Sequence, residues 1–296
     1  MLQFQPLGFC QQLIQTSLGI MVYYSATEPI WPIASIPKDK PPLVFLHSLG
    51  GGSSAYEWSK IYPAFAADYR IIAPDLLGWG QSSHPPRSYQ VEDYLKLLTE
   101  LLEWVGQPAI AIASSLTAGI TVRLAIQRPD LFDQLFLVSP AGYADFGGDY
   151  GRNLAAQIAK IPGIDQALYA LGAANPLAVQ SFLTQILFAN PARITPETIA
   201  AYLASAQQFN AEYAALSSLR GDLCFDLALY LPQLRTRTAI AWGTKSRFGT
   251  PTLGKRLAQL NPTAIHSFLE IPEVGVLPHL EDPAIVIGLL RRVLGE

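Results

Sequence analysis

Cysteine is almost missing from this chain: only Cys10 and Cys224 occur in 296 residues. Two thiols so far apart match no metal or redox spacing, so no disulfide framework is expected, and both read as buried thiols in a reducing compartment. Histidine is nearly as scarce. His47, His84, His266 and His279 are scattered with no H-E-x-x-H pattern, which argues against a metal site, and no cofactor is expected. Charge is thin as well. Lysine, arginine, aspartate and glutamate make up 15% of the chain, the net charge is −3, and the basic clusters are as small as Arg291-Arg292. Nothing of that kind can follow a phosphate backbone, so nucleic acid is not expected as a partner.

What fills the chain instead is apolar. Half of the residues are hydrophobic and the mean hydropathy is +0.23, ample for a large core and far from a disordered composition. The length allows one large domain or two small ones at about 150 residues each. Residues 108–126 are mostly Ala, Ile, Leu and Val, yet Ser114-Ser115 and Thr117 break the middle and Arg123 sits near the end. A bilayer span needs about 20 predominantly apolar residues, so this reads as a buried strand turning into a helix. The first 15 residues have no basic n-region, no long apolar stretch and no small-residue cleavage site. The expectation is a cytoplasmic protein without a transmembrane segment, its oiliness leaving peripheral membrane contact open.

Residues 12–26 resemble a β-hairpin with Gly19 near the turn, followed by a proline-rich connection over 29–42. Short apolar runs at 43–47, 70–74, 109–113, 135–139, 238–242 and 264–271 then alternate with helical patterns near 57–67, 91–105, 116–127, 251–259 and 283–294. Strands buried on both faces lose their polar alternation, and alternating strands and helices make parallel β-α-β units. The fold class is therefore α/β, with a mostly parallel central sheet and helices on both faces. From 141 to 234 the alternation stops, leaving helical patterns at 153–161, 165–171, 177–188, 196–207 and 211–219. The expected organisation is a core of residues 1–140 and 235–296 carrying an all-helical lid of residues 141–234 over the sheet edge where such folds place ligands. The lid aromatics Tyr143, Phe146, Tyr169, Phe182, Phe188, Tyr202 and Phe209 suit both a small helical core of its own and an apolar pocket beneath it.

Three motifs occur in order along the core. They are His47-Ser48-Leu49-Gly50-Gly51-Gly52, Pro74-Asp75-Leu76-Leu77-Gly78-Trp79-Gly80-Gln81-Ser82, and Ala113-Ser114-Ser115-Leu116-Thr117 at a strand-to-helix junction. The ordered set resembles the α/β-hydrolase superfamily, lid included, over nearly the whole chain. It is most similar to the cyanobacterial and plastid branch whose kin include chlorophyll- and pheophytin-dephytylating esterases. The resemblance implies a nucleophile elbow of G-x-S-x-G type. Ser115 fits it, with Ala113 and Thr117 two residues to either side, whereas Ser114 would place Ile112 and Leu116 there. The backbone N–H groups of Leu49 and Leu116 would form the oxyanion hole.

The departures from that pattern are specific. A serine hydroxyl needs a histidine base, and the histidine needs an acid to hold its tautomer. The family's acid turn, W-G-x-x-D, reads Trp242-Gly243-Thr244-Lys245-Ser246, and its base turn, G-H-x-P-x-x-E, reads Gly275-Val276-Leu277-Pro278-His279-Leu280-Glu281. Ser246 stands where the carboxylate belongs and Val276 where the histidine belongs, inside intact frames, and Thr117 replaces the elbow glycine. His279 is the nearest alternative base, three residues past the vacant position and expected to meet backbone or solvent. His47 is expected to be structural, and Asp145 to cap a turn before Gly147-Gly148. Two readings follow. One is a non-hydrolytic protein binding a hydrophobic small molecule or a protein partner under an apolar lid. The other is a serine esterase on a lipid or chlorophyll-type ester, using Ser115 with a repositioned base such as His279.

Overall fold

The chain starts its sheet with the expected hairpin, β1 (Phe9–Thr16) paired antiparallel with β2 (Gly19–Ala26). This computed structural model describes residues 2–148, 169 and 171–296; the helix expected at 153–161 and most of that at 165–171 lie outside them. The apolar runs become β3 (Leu43–Leu46), β4 (Ile71–Pro74), β5 (Ala109–Ser114), β6 (Phe132–Val138), β7 (Thr238–Gly243) and β8 (Ile265–Ile271). They assemble into one eight-stranded sheet in the order β1-β2-β4-β3-β5-β6-β7-β8. Every pairing from β4 through β8 is parallel, and β2 joins β4 antiparallel.

Two-residue periodicity decides where each strand's side chains go. In β3, Val44 and Leu46 enter one buried cluster and Leu43 and Phe45 the other. Both faces of the strand are dry, which is why its sequence shows no polar alternation. The helices that cover them are α1 (Val91–Val105), α2 (Ser115–Gln127), α3 (Pro176–Phe182), α4 (Pro196–Ala206), α5 (Ala211–Arg220), α6 (Pro251–Gln259), α7 (Pro278–Glu281) and α8 (Pro283–Leu294). Leu98 of α1, Ile120 of α2 and Leu257 of α6 pack on the Val44 face. Val286 and Leu290 of α8 pack on the Phe45 face with Trp58, Tyr62 and Phe65. Local signals set the ends of these helices. Asp93 accepts the Gln90 N–H in a capping box that opens α1, and Gly106 closes it in the left-handed region at φ +81°, where glycine carries no Cβ penalty.

Two expectations are corrected here. Residues 57–67 form no α-helix but two 3₁₀ turns, Ala55–Trp58 and Tyr62–Phe65, because Pro63 has no N–H to extend a ladder through the middle of the stretch. The helix expected at 177–188 loosens into a π turn at Leu183–Leu187, where the Phe188 N–H reaches back to the Leu183 carbonyl. Arg247 stabilises that turn by donating to the carbonyls of Thr184 and Gln185.

Between β6 and β7 the described residues form helices, turns and one isolated bridge, Tyr143 to Phe225. Two aspartates clasp the base of this segment reciprocally. Asp145 accepts the N–H groups of Gly142 and Leu227, and Asp226 accepts those of Phe146 and Gly147. Asp145 therefore sits in the turn-capping role expected of it. The apolar run at 108–126 is β5 entering α2, and among the described residues no helix is long and apolar enough to cross a membrane.

Candidate active site

The elbow exists. At the end of β5 the chain turns into α2 with Ser115 at φ +55°, a left-handed conformation that costs an L residue about 1–3 kcal/mol and needs its surroundings to enforce it. Part of that enforcement comes from a residue outside the motif. A Cβ on Gly119 would lie 2.4 Å from the Ala141 carbonyl, so glycine lets α2 press against the chain leaving β6. Thr117, in place of the elbow glycine, is fully buried and keeps its hydroxyl without a hydrogen-bond partner among the described residues. Leu116 lies in the first turn of α2, where helix geometry leaves backbone N–H groups without an internal acceptor.

Above Ser115 lies a cavity of about 300 Å³ lined by Leu49, Tyr143, Phe182, Phe248, Val276 and others, with no charged side chain among the described residues. That volume is at the small end for ligand pockets, roughly 300–1,000 Å³. The partner of the Ser115 hydroxyl is Tyr143, whose phenol oxygen lies 2.8 Å from Ser115 Oγ. Tyr143 itself is left-handed at φ +66° and sets its ring against Phe248, edge to face, with centroids 4.7 Å apart. Sequence reasoning named Tyr143 only as a lid aromatic. Its contact with Ser115 depends on a backbone conformation no motif announces. Of the other lid aromatics, Phe182 lines this cavity and Tyr169 an adjoining one. Phe188 and Tyr202 are buried in one cluster with Tyr56, Val276 and Leu280, Phe146 lies beneath Arg256, and Phe209 is 87% exposed.

Ser246 and Val276, the positions where the resemblance expects an acid and a base, sit on turns at the carboxyl ends of β7 and β8. Val276 faces the Ser115 cavity, and its backbone is pinned on both sides. Its N–H donates to the Leu187 carbonyl at 2.9 Å, and its carbonyl accepts from Ser139 Oγ at 3.0 Å. Glu281, five residues on, accepts the N–H groups of Gly275, Ala189 and Asn190. Ser246 is buried, and its hydroxyl has no hydrogen-bond partner among the described residues. The two turns interlock. A Cβ on Gly243 would lie 2.0 Å from the Gly275 carbonyl, and Lys245 N–H donates to Val274.

The histidines are placed elsewhere. His47 uses both ring nitrogens, Nε2 accepting the Leu76 N–H at 2.8 Å and Nδ1 facing the Ser48 carbonyl at 2.6 Å, the structural role expected of it. His279 does not meet backbone or solvent, which corrects that expectation. Pro278 starts α7, and the His279 ring that follows is fully buried and stacked on Trp58 with centroids 3.7 Å apart. Its Nε2 lies 4.0 Å from Glu57 Oε2, beyond hydrogen-bond length, and neither ring nitrogen has a hydrogen-bond partner among the described residues. Burial pushes its pKa below the ordinary 6.5 against the pull of Glu57. The unfolded chain then binds more protons than the folded one between that lowered value and 6.5, so acidification through this window destabilises the fold. Urea unfolding is expected to show wild type losing more stability between pH 7 and pH 5 than His279→Phe. Parallel pH curves would refute the assignment.

A further residue that the motifs do not expose is Glu57. It is fully buried and accepts from Ser48 N–H, Ser48 Oγ and the Tyr202 hydroxyl at 2.8, 2.8 and 3.0 Å. Burial alone would raise its pKa. The facing His279 and His47 rings and the Ser48 N–H outweigh burial and hold the carboxyl down to about 2. Among the described residues, no cluster of His, Cys, Asp and Glu could hold a metal ion.

Residues 43–289 match the Alpha/beta hydrolase family. An uncharacterized protein of Mycobacterium tuberculosis is 28% identical over 270 residues, 86% of this chain and 75% of its own length. The 2-hydroxymuconate semialdehyde hydrolase of Pseudomonas sp. (strain CF600) is 32% identical over 104 residues, 34% of this chain and 37% of its own. Carboxylesterase CesB of Bacillus subtilis shares the fold with a TM-score of 0.74 at 18% identity, covering 100% of this chain and 95% of that one. Cfl2 of Burkholderia cenocepacia does so at 0.76 and 19%, covering 97% and 96%. With the elbow, the parallel sheet and the two interlocked turns in place, the chain belongs to the alpha/beta hydrolase family.

Proposed function

We propose that this protein uses the hydrolase fold to bind a hydrophobic small molecule above Ser115 without hydrolysing it, with residues 141–234 as the lid and the cytoplasm as its location. One observation carries the reading: the Ser115 hydroxyl is paired with the Tyr143 phenol at 2.8 Å, while the turn that would bring a base delivers Val276 to the same cavity. Near neutral pH a phenol of ordinary pKa about 10 is almost wholly protonated, so Tyr143 offers Ser115 little of the free base that acyl transfer needs. His279, packed flat on Trp58, is not among the residues lining the cavity. A protein partner in place of the small molecule is the weaker form of this reading, because the Ser115 site is a mostly apolar cavity of only about 300 Å³.

Ester hydrolysis is the second reading, with a lipid or chlorophyll-type ester as the substrate class that the cyanobacterial and plastid resemblance brings. One observation favours it: Ser115 keeps its strained elbow. A serine-directed fluorophosphonate probe separates the two. Wild type is expected to label no more than Ser115→Ala. Labelling that vanishes in Ser115→Ala would establish an activated serine and overturn the non-hydrolytic reading.

A further inference from the structure

Positive charge is scarce in this chain, with 20 lysines and arginines among 296 residues. Three of them, Arg193, Lys245 and Arg247, nevertheless line one surface cleft of about 520 Å³, against a single acid, Glu273, among the described residues. The cleft lies outside the Ser115 cavity, between the segment that follows the π turn and the turns after β7 and β8. Two of its cations are loosely matched. Arg193 meets Asp282 at 3.2 Å, and Lys245 meets Glu273 at 3.4 Å with both side chains more than half exposed. Water competes for such pairs, so they exchange easily for a better anion.

Arg247 is different. It has no carboxylate partner among the described residues; its Nη1 donates to the neutral carbonyls of Thr184 at 2.8 Å and Gln185 at 2.9 Å. Those bonds fix the guanidinium at the wall of the cleft and leave Nε and Nη2, one edge of its fork, without a protein partner. The charge is positioned but not neutralised. Counting oxygens and charges then decides the class of anion. A carboxylate brings one charge and two oxygens, which the open edge of Arg247 satisfies by itself. A phosphoryl group brings about −1.5 to −2 charge at pH 7 and three acceptor oxygens, so it engages that edge and still faces Lys245 and Arg193.

We infer that this cleft is a phosphoryl-anion site, with Arg247 as its anchor and Lys245 and Arg193 as flanking charges. The inference is independent of what the Ser115 cavity binds. The carbonyls that Arg247 holds lead directly into Ile186 and Leu187, which line that cavity together with Phe248, so an anion that fixes Arg247 also braces one cavity wall. The test is titration of the full chain with inorganic phosphate, and separately with acetate, at pH 7.5 and constant ionic strength, followed by amide NMR. Phosphate is expected to bind about tenfold more tightly than acetate. Arg247→Gln is expected to weaken phosphate binding about tenfold, and Arg247→Lys, which keeps the charge but not the fork, about threefold. Lys245→Gln, which leaves the bonds to Thr184 and Gln185 intact, is expected to cost about threefold. Glu273→Gln removes the competing acid and is expected to tighten binding about threefold, a gain that misfolding cannot imitate. Arg128→Gln, at an arginine paired with Glu103 and Asp130 elsewhere, is expected to change nothing. Sedimentation with phosphatidylcholine vesicles, with and without phosphatidate, separates a free solute from a lipid headgroup. Binding to the phosphatidate vesicles alone, lost in Arg247→Gln, would place the phosphoryl group on a lipid. Acetate binding as tightly as phosphate, binding indifferent to Arg247→Gln and Lys245→Gln, or no binding of either form would overturn the inference.

Discussion

Ser246→Asp combined with Val276→His is expected to create ester hydrolysis in this chain. The turn that holds Val276 is already fixed by Leu187, Ser139 and Glu281, and the turn that holds Ser246 is locked to it through Gly243 and Lys245. Side chains placed there inherit a rigid frame, which catalytic geometry requires. Val276→His alone is expected to give far less activity, since removing the acid from a Ser-His-Asp triad costs about 10⁴-fold in turnover. Ser246→Asp alone adds no base and is expected to give none. Triad residues act as a unit, so the double variant exceeds the combination of the singles. Adding Tyr143→Phe is expected to raise the rate again, because it releases Ser115 Oγ from the phenol that now holds it. Burying an imidazole in place of valine costs about 1–3 kcal/mol, so thermal melting comes before kinetics. Short activated esters are the substrates of choice, as they fit a cavity of about 300 Å³. A folded double variant that stays inert with and without Tyr143→Phe would place the defect at Thr117 or in the Leu49 loop instead.

The same frames explain what could be read from the sequence and what could not. Strand positions, the elbow and the two turns were legible because they carry backbone duties that restrict residue type. Gly243 and Gly275 leave no room for a Cβ against the carbonyls of Gly275 and Leu187. Glu281 holds the base turn to the segment between β6 and β7 through Gly275, Ala189 and Asn190. These contacts are needed whether or not a histidine stands at 276, which is a physical reason for the motif frames to be kept around Val276 and Ser246. The Ser115–Tyr143 pair was illegible. It depends on two left-handed residues and on a contact spanning 28 positions, neither of which has a local signal. His279 is illegible for a similar reason: its burial against Trp58 is a tertiary contact with no local signal. Glu57 sat in a stretch read as helical, where an isolated carboxylate reads as solvated, and only the tertiary structure shows its burial.

That buried carboxylate carries the largest stability effect expected here. Ser48, Tyr202 and the His279 slot converge on Glu57, joining the loop of Leu49, helix α4 and the turn after β8 at one point. Truncation in Glu57→Ala strands the Ser48 N–H and the Tyr202 hydroxyl in a dry interior and opens a cavity. The expected loss is about 3–5 kcal/mol in urea unfolding at pH 7. Glu57→Gln keeps the shape but turns one acceptor into a donor facing other donors, so about 1–3 kcal/mol is expected. The sign of the pH dependence follows from the depressed pKa. Glu57 is held at about 2 in the folded chain against an ordinary 4.5, so its contribution is full above 4.5 and fades as pH falls toward 2. The gap between wild type and Glu57→Gln is therefore expected to narrow on going from pH 6 to pH 3. A cycle with Tyr202→Phe checks the pairing, since two residues sharing one hydrogen bond lose less together than the sum of their separate losses. Additive losses, or a Glu57→Ala variant within about 1 kcal/mol of wild type, would show that the carboxylate is a bystander and that the Leu49 loop is held without it.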